Sequence, residues 1–209
     1  MNLILPHNFT PRAYQLPVLR ALDNGIKRAV IVWHRRAGKE KTCLNFTAKR
    51  AFERVGTYFY LFPTYAQAKK VLWQGADKAG FRFLDHFPPR IIKTRQEQDL
   101  RLELINGSSI QLIGSDNYDS VMGTNPIGCV FSEYALQNPS AWDYLRPILA
   151  ENDGWAIFDF TPRGHNHGWQ IYEMARGNPD WFAEILTVDD TQAISAAAIE
   201  AERAAGMSE

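Results

Sequence analysis

The stretch from Val30 to Thr42 has the residue types of a phosphate-binding loop. Its sequence, Val-Ile-Val-Trp-His-Arg-Arg-Ala-Gly-Lys-Glu-Lys-Thr, leads an apolar strand through a short turn directly into a helix. Such a turn points backbone N–H groups and a helix N-terminus at one spot, where a polyphosphate is held and Lys39 can reach its β and γ oxygens. We therefore predict a nucleotide-binding loop made of Arg36, Ala37, Gly38, Lys39, Glu40, Lys41 and Thr42.

The loop departs from the usual phosphate-loop, or Walker A, motif at two positions. Trp33 stands at the first glycine position, and Glu40 stands where a Ser or Thr normally contacts Mg²⁺. An alternative register makes Lys41 and Thr42 the working pair, but it puts Glu40 where a phosphate needs the close approach of a glycine, so we favour Lys39. Taken alone, these residues also fit a basic, solvated turn that binds nothing.

A second strand ends in residues suited to hydrolysis. The apolar run from Ile127 to Ser132 is followed by Glu133, which is the layout of a Walker B strand. In such sites the first acid holds the Mg²⁺ shell, and the following Glu polarises the attacking water. Here Ser132 takes the first position, so Glu40 on the loop and Ser132 on the strand exchange the usual carboxylate and hydroxyl. We predict that these two side chains bind Mg²⁺, Glu40 directly or through water. The alternative is that Glu40 tunes or inactivates the site, because a carboxylate beside a triphosphate is repulsive without a metal.

Two other segments suit a nucleotide site. Arg12 and Gln15 lie one helical turn apart before the first strand and, with a nearby aromatic ring, could stack on and hydrogen-bond an adenine. Another buried strand ends at Thr161, which at the carboxyl edge of a parallel sheet would lie next to the γ-phosphate and respond to its loss. The alternatives are a capped surface helix for the first segment and a simple turn for the second.

The composition of the chain disfavours several classes of protein. The chain has 209 residues with 23 basic and 23 acidic side chains, so it lacks the basic excess that would bind nucleic acid over its whole surface. Its 2 cysteines disfavour a disulfide framework or a four-ligand zinc site. No apolar stretch approaches the roughly 18–20 residues of a membrane span, and no signal sequence follows Met1. We expect a soluble, cytoplasmic protein.

Strand-like and helical segments alternate, which predicts an α/β fold with a mainly parallel central sheet flanked by helices. Asn106-Gly107 predicts a hairpin, so we expect one antiparallel pair within it. The predicted strands are 28–33, 57–62, 102–106, 109–114, 128–132, 156–160 and 183–188. The predicted helices are 11–24, capped by Thr10, 39–54, 65–75, 141–150 and 168–176.

The chain divides unevenly into two parts. Residues 1–190 contain every predicted strand and form the expected ATPase domain. Residues 191–209 have helical propensity over 192–205 but few large apolar side chains, so we expect a helical connector that leads into a longer natural chain.

The order and spacing of these motifs resemble the ATPase domain of phage large terminase subunits over approximately residues 6–190. The matching segments are Pro11-Arg-Ala-Tyr-Gln15, Trp33-His-Arg-Arg-Ala-Gly-Lys39, Phe62-Pro-Thr-Tyr65, Asn106-Gly-Ser-Ser-Ile110, Phe131-Ser-Glu-Tyr134 and Thr161-Pro-Arg-Gly164. The resemblance implies a P-loop ATPase of the additional-strand, catalytic-glutamate class. It assigns Arg35 as the phosphate-loop arginine, Lys39 as the phosphate lysine, Glu133 as the catalytic glutamate and Thr161 as the coupling residue.

The same resemblance implies a DNA-packaging motor. Its cofactors would be ATP and Mg²⁺, and its partners double-stranded DNA, the portal protein of a procapsid and the small terminase subunit. It would work in the cytoplasm of the infected host as a homo-oligomeric ring, and as a monomer when isolated. A nuclease domain, which follows the ATPase domain in this family, is not expected within these residues.

One family feature has no counterpart in this sequence, and two other functions remain open. Many relatives carry, just before a glycine that precedes the Walker B strand, an arginine that acts on the neighbouring subunit's nucleotide. In this chain Met122 stands at that position, before Gly123. The trans-acting arginine is therefore unassigned, and the candidates are Arg95, Arg101, Arg146 and Arg163. The alternative functions are a helicase-type or remodelling nucleic-acid ATPase and a non-catalytic nucleotide-binding assembly module.

Overall fold

A computed structural model describes residues 5–206, and they form an eight-stranded sheet covered by helices on both faces. The strands are β1 (Arg28–Trp33), β2 (Thr57–Phe62), β3 (Ile92–Gln96), β4 (Arg101–Leu104), β5 (Ser109–Gly114), β6 (Pro126–Ser132), β7 (Trp155–Phe160) and β8 (Trp181–Leu186). Their order across the sheet is β3-β4-β5-β2-β6-β7-β1-β8. Six neighbouring strands, β5, β2, β6, β7, β1 and β8, run parallel. At one edge of the sheet, β3 pairs antiparallel with β4, and β4 pairs antiparallel with β5. The α/β class, the mainly parallel sheet and the Asn106-Gly107 hairpin are confirmed.

The helices lie mostly in the connections between parallel strands. The α-helices are α1 (Leu16–Asp23), α2 (Lys39–Glu53), α3 (Tyr65–Ala68), α4 (Ser140–Glu151), α5 (His167–Arg176), α6 (Val188–Thr191) and α7 (Ala196–Ala204). A π-helical turn, Lys69–Trp73, continues α3. Short 3₁₀ turns span Ala13–Gln15, Phe83–His86, Pro89–Ile91, Ser115–Val121 and Tyr134–Leu136.

The sheet separates two apolar layers because successive side chains along a strand point to opposite faces. On one face, α1 and α2 pack against alternate residues such as Ile31, Tyr60 and Ile157. On the other face, α4 and α5 cover the intervening residues, including Phe131 and Phe158. Burial on both faces explains why the central strands are apolar throughout rather than alternating.

The strand order brings the ends of three strands together at one edge of the sheet. Strand β7 lies between β1, which leads into the phosphate loop, and β6, which carries the Walker B pattern. The strand of the phosphate loop and the strand of the Walker B pattern are therefore not neighbours in the sheet. Because these strands are parallel, their carboxyl ends lie together, and the candidate residues that follow β1, β6 and β7 converge there.

The structure differs from the sequence prediction at the periphery. Strand β3 was not predicted, because its residues are largely exposed and carry Lys93 and Arg95. The predicted helix over 11–24 begins as a 3₁₀ turn whose N-cap is Arg12, so the Thr10 cap is wrong. The helix predicted over 192–205 is shorter: Gln192 adopts a left-handed conformation (φ 48°) after α6, and α7 begins only after its cap, Ser195.

No helix within residues 5–206 is both long enough and apolar enough to span a bilayer.

Candidate nucleotide site

The turn between β1 and α2 has the backbone conformation of a phosphate cradle. Gly38 is the N-cap of α2 with φ 84°, and Arg36 also has a positive φ of 70°. Left-handed residues next to a helix start turn successive N–H groups toward one point. A Cβ added to Gly38 would lie 2.8 Å from Nε2 of Gln15, so this position requires glycine for space as well as for its dihedral angle.

The 3₁₀ turn before α1 holds the loop in place. Nε2 of Gln15 donates a hydrogen bond to the Ala37 carbonyl at 3.0 Å, and the Tyr14 hydroxyl donates to the same oxygen at 2.9 Å. Oε1 of Gln15 accepts from the Arg12 backbone N–H, and the Arg12 guanidinium donates to the Tyr14 hydroxyl. Gln15 is only 3% exposed, so its amide acts as a brace for the loop. The adenine contacts of Arg12 and Gln15 stay a prediction. Sequence reasoning did not single out Tyr14, whose role depends on the packing of this turn against the loop.

Lys39 connects the loop to two other strands. Its side chain is 7% exposed, and Nζ donates to the Trp33 carbonyl at 3.1 Å and to Oγ1 of Thr161 at 3.2 Å. Oε1 of Glu133 lies 3.8 Å from the same nitrogen. One buried ammonium group therefore contacts the ends of β1 and β7 and faces the residue after β6.

The other basic side chains of the loop differ in their surroundings: two are exposed to solvent, and one forms an ion pair. Arg35 and Arg36 are exposed, and neither pairs with a carboxylate among residues 5–206. Nζ of Lys41 forms an ion pair with Asp77 at 2.6 Å. The Thr42 hydroxyl donates to the Gly38 carbonyl within α2. This arrangement favours Lys39 over the Lys41-Thr42 register, because Lys39 alone of the two lysines faces the sheet edge.

Glu133 has an uncommon backbone conformation. Its φ of 53° and ψ of 43° place a non-glycine residue in the left-handed region directly after β6. Such conformations cost free energy and concentrate at functional sites. The Glu133 side chain is 33% exposed, so its carboxylate faces both Lys39 and solvent. A carboxylate in this position can accept a proton from a water molecule or orient it.

Glu40 and Ser132, the two residues that depart from the usual motifs, contact each other. The Ser132 hydroxyl donates to Oε1 of Glu40 at 2.5 Å, and the Tyr60 hydroxyl donates to Oε2 at 2.7 Å. Burial raises the pKa of the Glu40 carboxyl above its ordinary value, while these two hydrogen bonds and Lys39 oppose the rise. Loop and strand thus offer adjacent carboxylate and hydroxyl oxygens.

Asp159 on β7 was not predicted from the sequence. It is fully buried, and no donor among the described residues meets full hydrogen-bond geometry with either carboxylate oxygen, although the Cys43 thiol and the Glu133 backbone N–H lie close by. Burial, followed by the nearby charge of Glu40, raises its pKa well above the ordinary value; Lys39 and the backbone N–H of Glu133 offset only part of this rise. The available signal was an aspartate inside the otherwise apolar run Trp-Ala-Ile-Phe-Asp-Phe.

The donor chemistry near Lys39 suits a hard divalent cation. Within residues 5–206, no three side chains of the His, Cys, Asp and Glu types converge as a closed metal cage. Mg²⁺ rarely uses such a cage, since it keeps several waters and binds one or two carboxylates together with phosphate oxygens. Glu40 and Ser132 fit that description.

Comparison with known proteins gives relatives of one kind. No family model matches the chain. The large terminase subunit of Thermus virus P23-45 is 24% identical over 182 residues, which is 79% of this chain and 36% of the relative. The large terminase subunit of another Thermus phage matches over the same shares at the same identity. The chain thus spans about a third of the length of these curated relatives.

Solved structures show the same architecture. The large terminase ATPase domain of Thermus phage P74-26 superposes with a TM-score of 0.74 at 21% identity, covering 99% of this chain and 95% of that one. The large terminase of a thermophilic bacteriophage, in complex with ADP, gives a TM-score of 0.71 at 17% identity over 94% of this chain and 50% of that one. The chain is similar in sequence to phage large terminase subunits and shares the fold of the large terminase ATPase domains.

Proposed function

We propose that the chain hydrolyses ATP and acts as the motor domain of a viral terminase that moves double-stranded DNA into a procapsid. The main support for this proposal is that Lys39, Thr161 and Glu133 meet at the carboxyl edge of the sheet. They lie beside a loop in which Arg36 and Gly38 have left-handed backbone conformations. The relatives supply the context, since they are large terminase subunits and one of them is in complex with ADP.

The site residues would have different roles in phosphoryl transfer. Lys39 and the backbone N–H groups of the loop would bind the β- and γ-phosphates, and Arg35, which is exposed, would neutralise charge on the transferred group. Glu133 orients the attacking water and accepts its proton. Glu40 and Ser132 would hold Mg²⁺, which supplies charge neutralisation between the phosphates when bound.

Thr161 provides a route from chemistry to movement. Its hydroxyl shares the Lys39 ammonium group with the position expected for the γ-phosphate, so loss of that phosphate changes the contacts at the end of β7. The residues that follow Thr161 are exposed, which suits a segment that passes the change to a DNA-contacting surface.

We infer that the working form is a homo-oligomeric ring on the portal protein, assisted by the small terminase subunit, in the host cytoplasm. A trans-acting arginine from a neighbour would then complete each site, and the isolated monomer should be slow. Hydrolysis per protomer is expected to rise with protein concentration. A rate that is fast and independent of concentration would contradict the shared site.

The test of hydrolysis compares two glutamates. Glu133→Gln should retain ATP binding and lose at least about 100-fold in phosphate release, the usual contribution of a general base. Glu151→Gln is the matched control, because it makes the same chemical change at the exposed end of α4. Equal rates in wild type and Glu133→Gln would support an inert nucleotide-binding module instead.

A further inference from the structure

Asp159 is a buried acid that the nucleotide site, as described above, does not use. The residue has no exposed surface, and no donor in the described structure meets full hydrogen-bond geometry with its carboxylate oxygens, although the Cys43 thiol and the Glu133 backbone N–H lie close by. Burying a carboxylate that lacks a well-formed partner is costly, and native proteins rarely leave one in that condition without a function.

The sheet register places Asp159 next to Ser132. The Cα atoms of these residues are partners in the parallel β6–β7 pairing. Side chains of register partners point to the same face, and Val130 and Ile157, two residues earlier on each strand, lie in the layer covered by α2. Asp159 therefore points toward the helix that carries Glu40, whose carboxylate already accepts a hydrogen bond from Ser132.

Three acidic side chains lie near Lys39. Glu40, Glu133 and Asp159 are close enough to perturb one another electrostatically, and Lys39 is the cation that acts on both buried acids. Of the three, Glu133 lies 3.8 Å from Nζ of Lys39, and Glu40 accepts a hydrogen bond from Ser132, the register partner of Asp159. A divalent cation between the loop and the strands would stabilise these carboxyl groups in their ionised form.

We propose that Asp159 is a second carboxylate ligand of the divalent cation in this chain, so that the acid missing from position 132 is supplied one strand away by β7. Glu40, Ser132 and Asp159 then contribute one oxygen-bearing side chain each from α2, β6 and β7. Two carboxylates, a hydroxyl and the phosphate oxygens of ATP form a donor set that Mg²⁺ accepts. This inference rests on the proposed nucleotide site and adds to it a residue that no neighbouring motif assigns.

The test measures cation binding separately from nucleotide binding. Mn²⁺ replaces Mg²⁺, and its affinity is titrated by electron paramagnetic resonance in the presence of a non-hydrolysable ATP analogue. Asp159→Asn keeps the shape of the side chain and removes its charge, and it should weaken Mn²⁺ binding at least 10-fold. Nucleotide binding in EDTA should be unchanged. Asp180→Asn, in an exposed turn, is the matched control and should alter neither measurement.

Each result has a separate meaning. Unchanged Mn²⁺ affinity in Asp159→Asn would overturn the assignment while leaving the nucleotide site intact. Failure of the wild-type protein to bind nucleotide in EDTA or with Mn²⁺ would instead overturn the proposed function, and this inference with it. If the variant does not fold, crystals of the wild-type protein with Mn²⁺ and the analogue decide the point. An anomalous peak within coordination distance of the Asp159 oxygens is expected, and a peak that lies elsewhere refutes the proposal.

Discussion

Substituting Gly38 by alanine tests whether the loop conformation is needed for nucleotide binding. The substitution introduces two separate problems at the N-cap of α2. The first is the backbone, since φ is 84° and L-residues other than glycine avoid this region. The second is contact, because the new Cβ would lie 2.8 Å from Nε2 of Gln15, a buried side chain that cannot move without breaking its hydrogen bond to Ala37.

The two costs can be estimated separately. The left-handed conformation costs an L-residue about 1–2 kcal/mol, and the lost chain entropy of the unfolded glycine returns about 0.4–1 kcal/mol. Loss of the Gln15–Ala37 hydrogen bond adds about 0.5–1.5 kcal/mol. Gly38→Ala should therefore lower the free energy of unfolding by about 2 kcal/mol, which corresponds to about 4–8 °C in melting temperature for a domain of this size.

Gly80→Ala is the matched control for this experiment. Gly80 has a φ of 80° but no heavy atom within 4 Å of the added Cβ, so it carries the backbone cost without the contact. Thermal unfolding should show a drop about half as large for Gly80→Ala, and binding of a fluorescent ATP analogue should weaken at least about 10-fold only in Gly38→Ala. Equal melting temperatures for the two variants, with wild-type nucleotide affinity in both, would refute the reasoning.

Two other predictions concern stability. Phe158 lies in four aromatic pairs among the described residues, with Phe131, Tyr134, Trp142 and Trp181, so Phe158→Leu should cost at least about 2 kcal/mol, at about 0.5–1.5 kcal/mol per pair. The measurement is urea unfolding monitored by tryptophan fluorescence, and an unchanged midpoint would contradict this loss of stability. The nucleotide-free protein should lose stability as the pH rises above about 4, the ordinary carboxyl range, because a raised folded pKa makes ionisation of Asp159 unfavourable. Urea unfolding of Asp159→Asn between pH 5 and 8 should show a shallower loss of stability than wild type, and parallel curves would contradict a raised pKa for Asp159.

The central fold could be predicted because its elements are locally specified. Strands β1, β2 and β5 have the predicted bounds, since each is an apolar run between turn residues and is buried on at least one face. Strand β3 could not be predicted in this way. Its residues, Ile-Lys-Thr-Arg-Gln, have no apolar pattern, and it forms because its backbone pairs with β4 at the edge of the sheet.

The candidate site divides along the same line. The loop from Arg36 to Thr42 was predictable because its chemistry lies in consecutive residues. The positions of Tyr14 and Asp159 could not be predicted in this way. Tyr14 reaches the loop because a turn packs against it, and Asp159 lies beside Ser132 because of the register between two strands. The proximity of Glu40 to Ser132 was anticipated from the exchange of their residue types, and the 2.5 Å hydrogen bond shows that the two positions do face each other.

The contacts of the loop on its two sides indicate which part of the site can move. On one side Tyr14 and Gln15 hold the Ala37 carbonyl. On the other, Nε1 of Trp33 donates to Glu184 on β8 at 3.0 Å, and the His34 backbone N–H donates to the Leu186 carbonyl. A loop fixed from both sides pays little ordering entropy when a polyphosphate binds, so it serves as a rigid cradle.

Movement on phosphate loss must then begin elsewhere. The exposed turn from Pro162 to His165 directly follows Thr161, a Lys39 contact, and its hydrogen bonds among the described residues come from Asn166 at the start of α5 rather than from a neighbouring strand. A mechanism in which the cradle stays still and the end of β7 shifts follows from this difference. It requires that a substitution at Thr161 disturb coupling more than binding, whereas a substitution at Gln15 should disturb binding first.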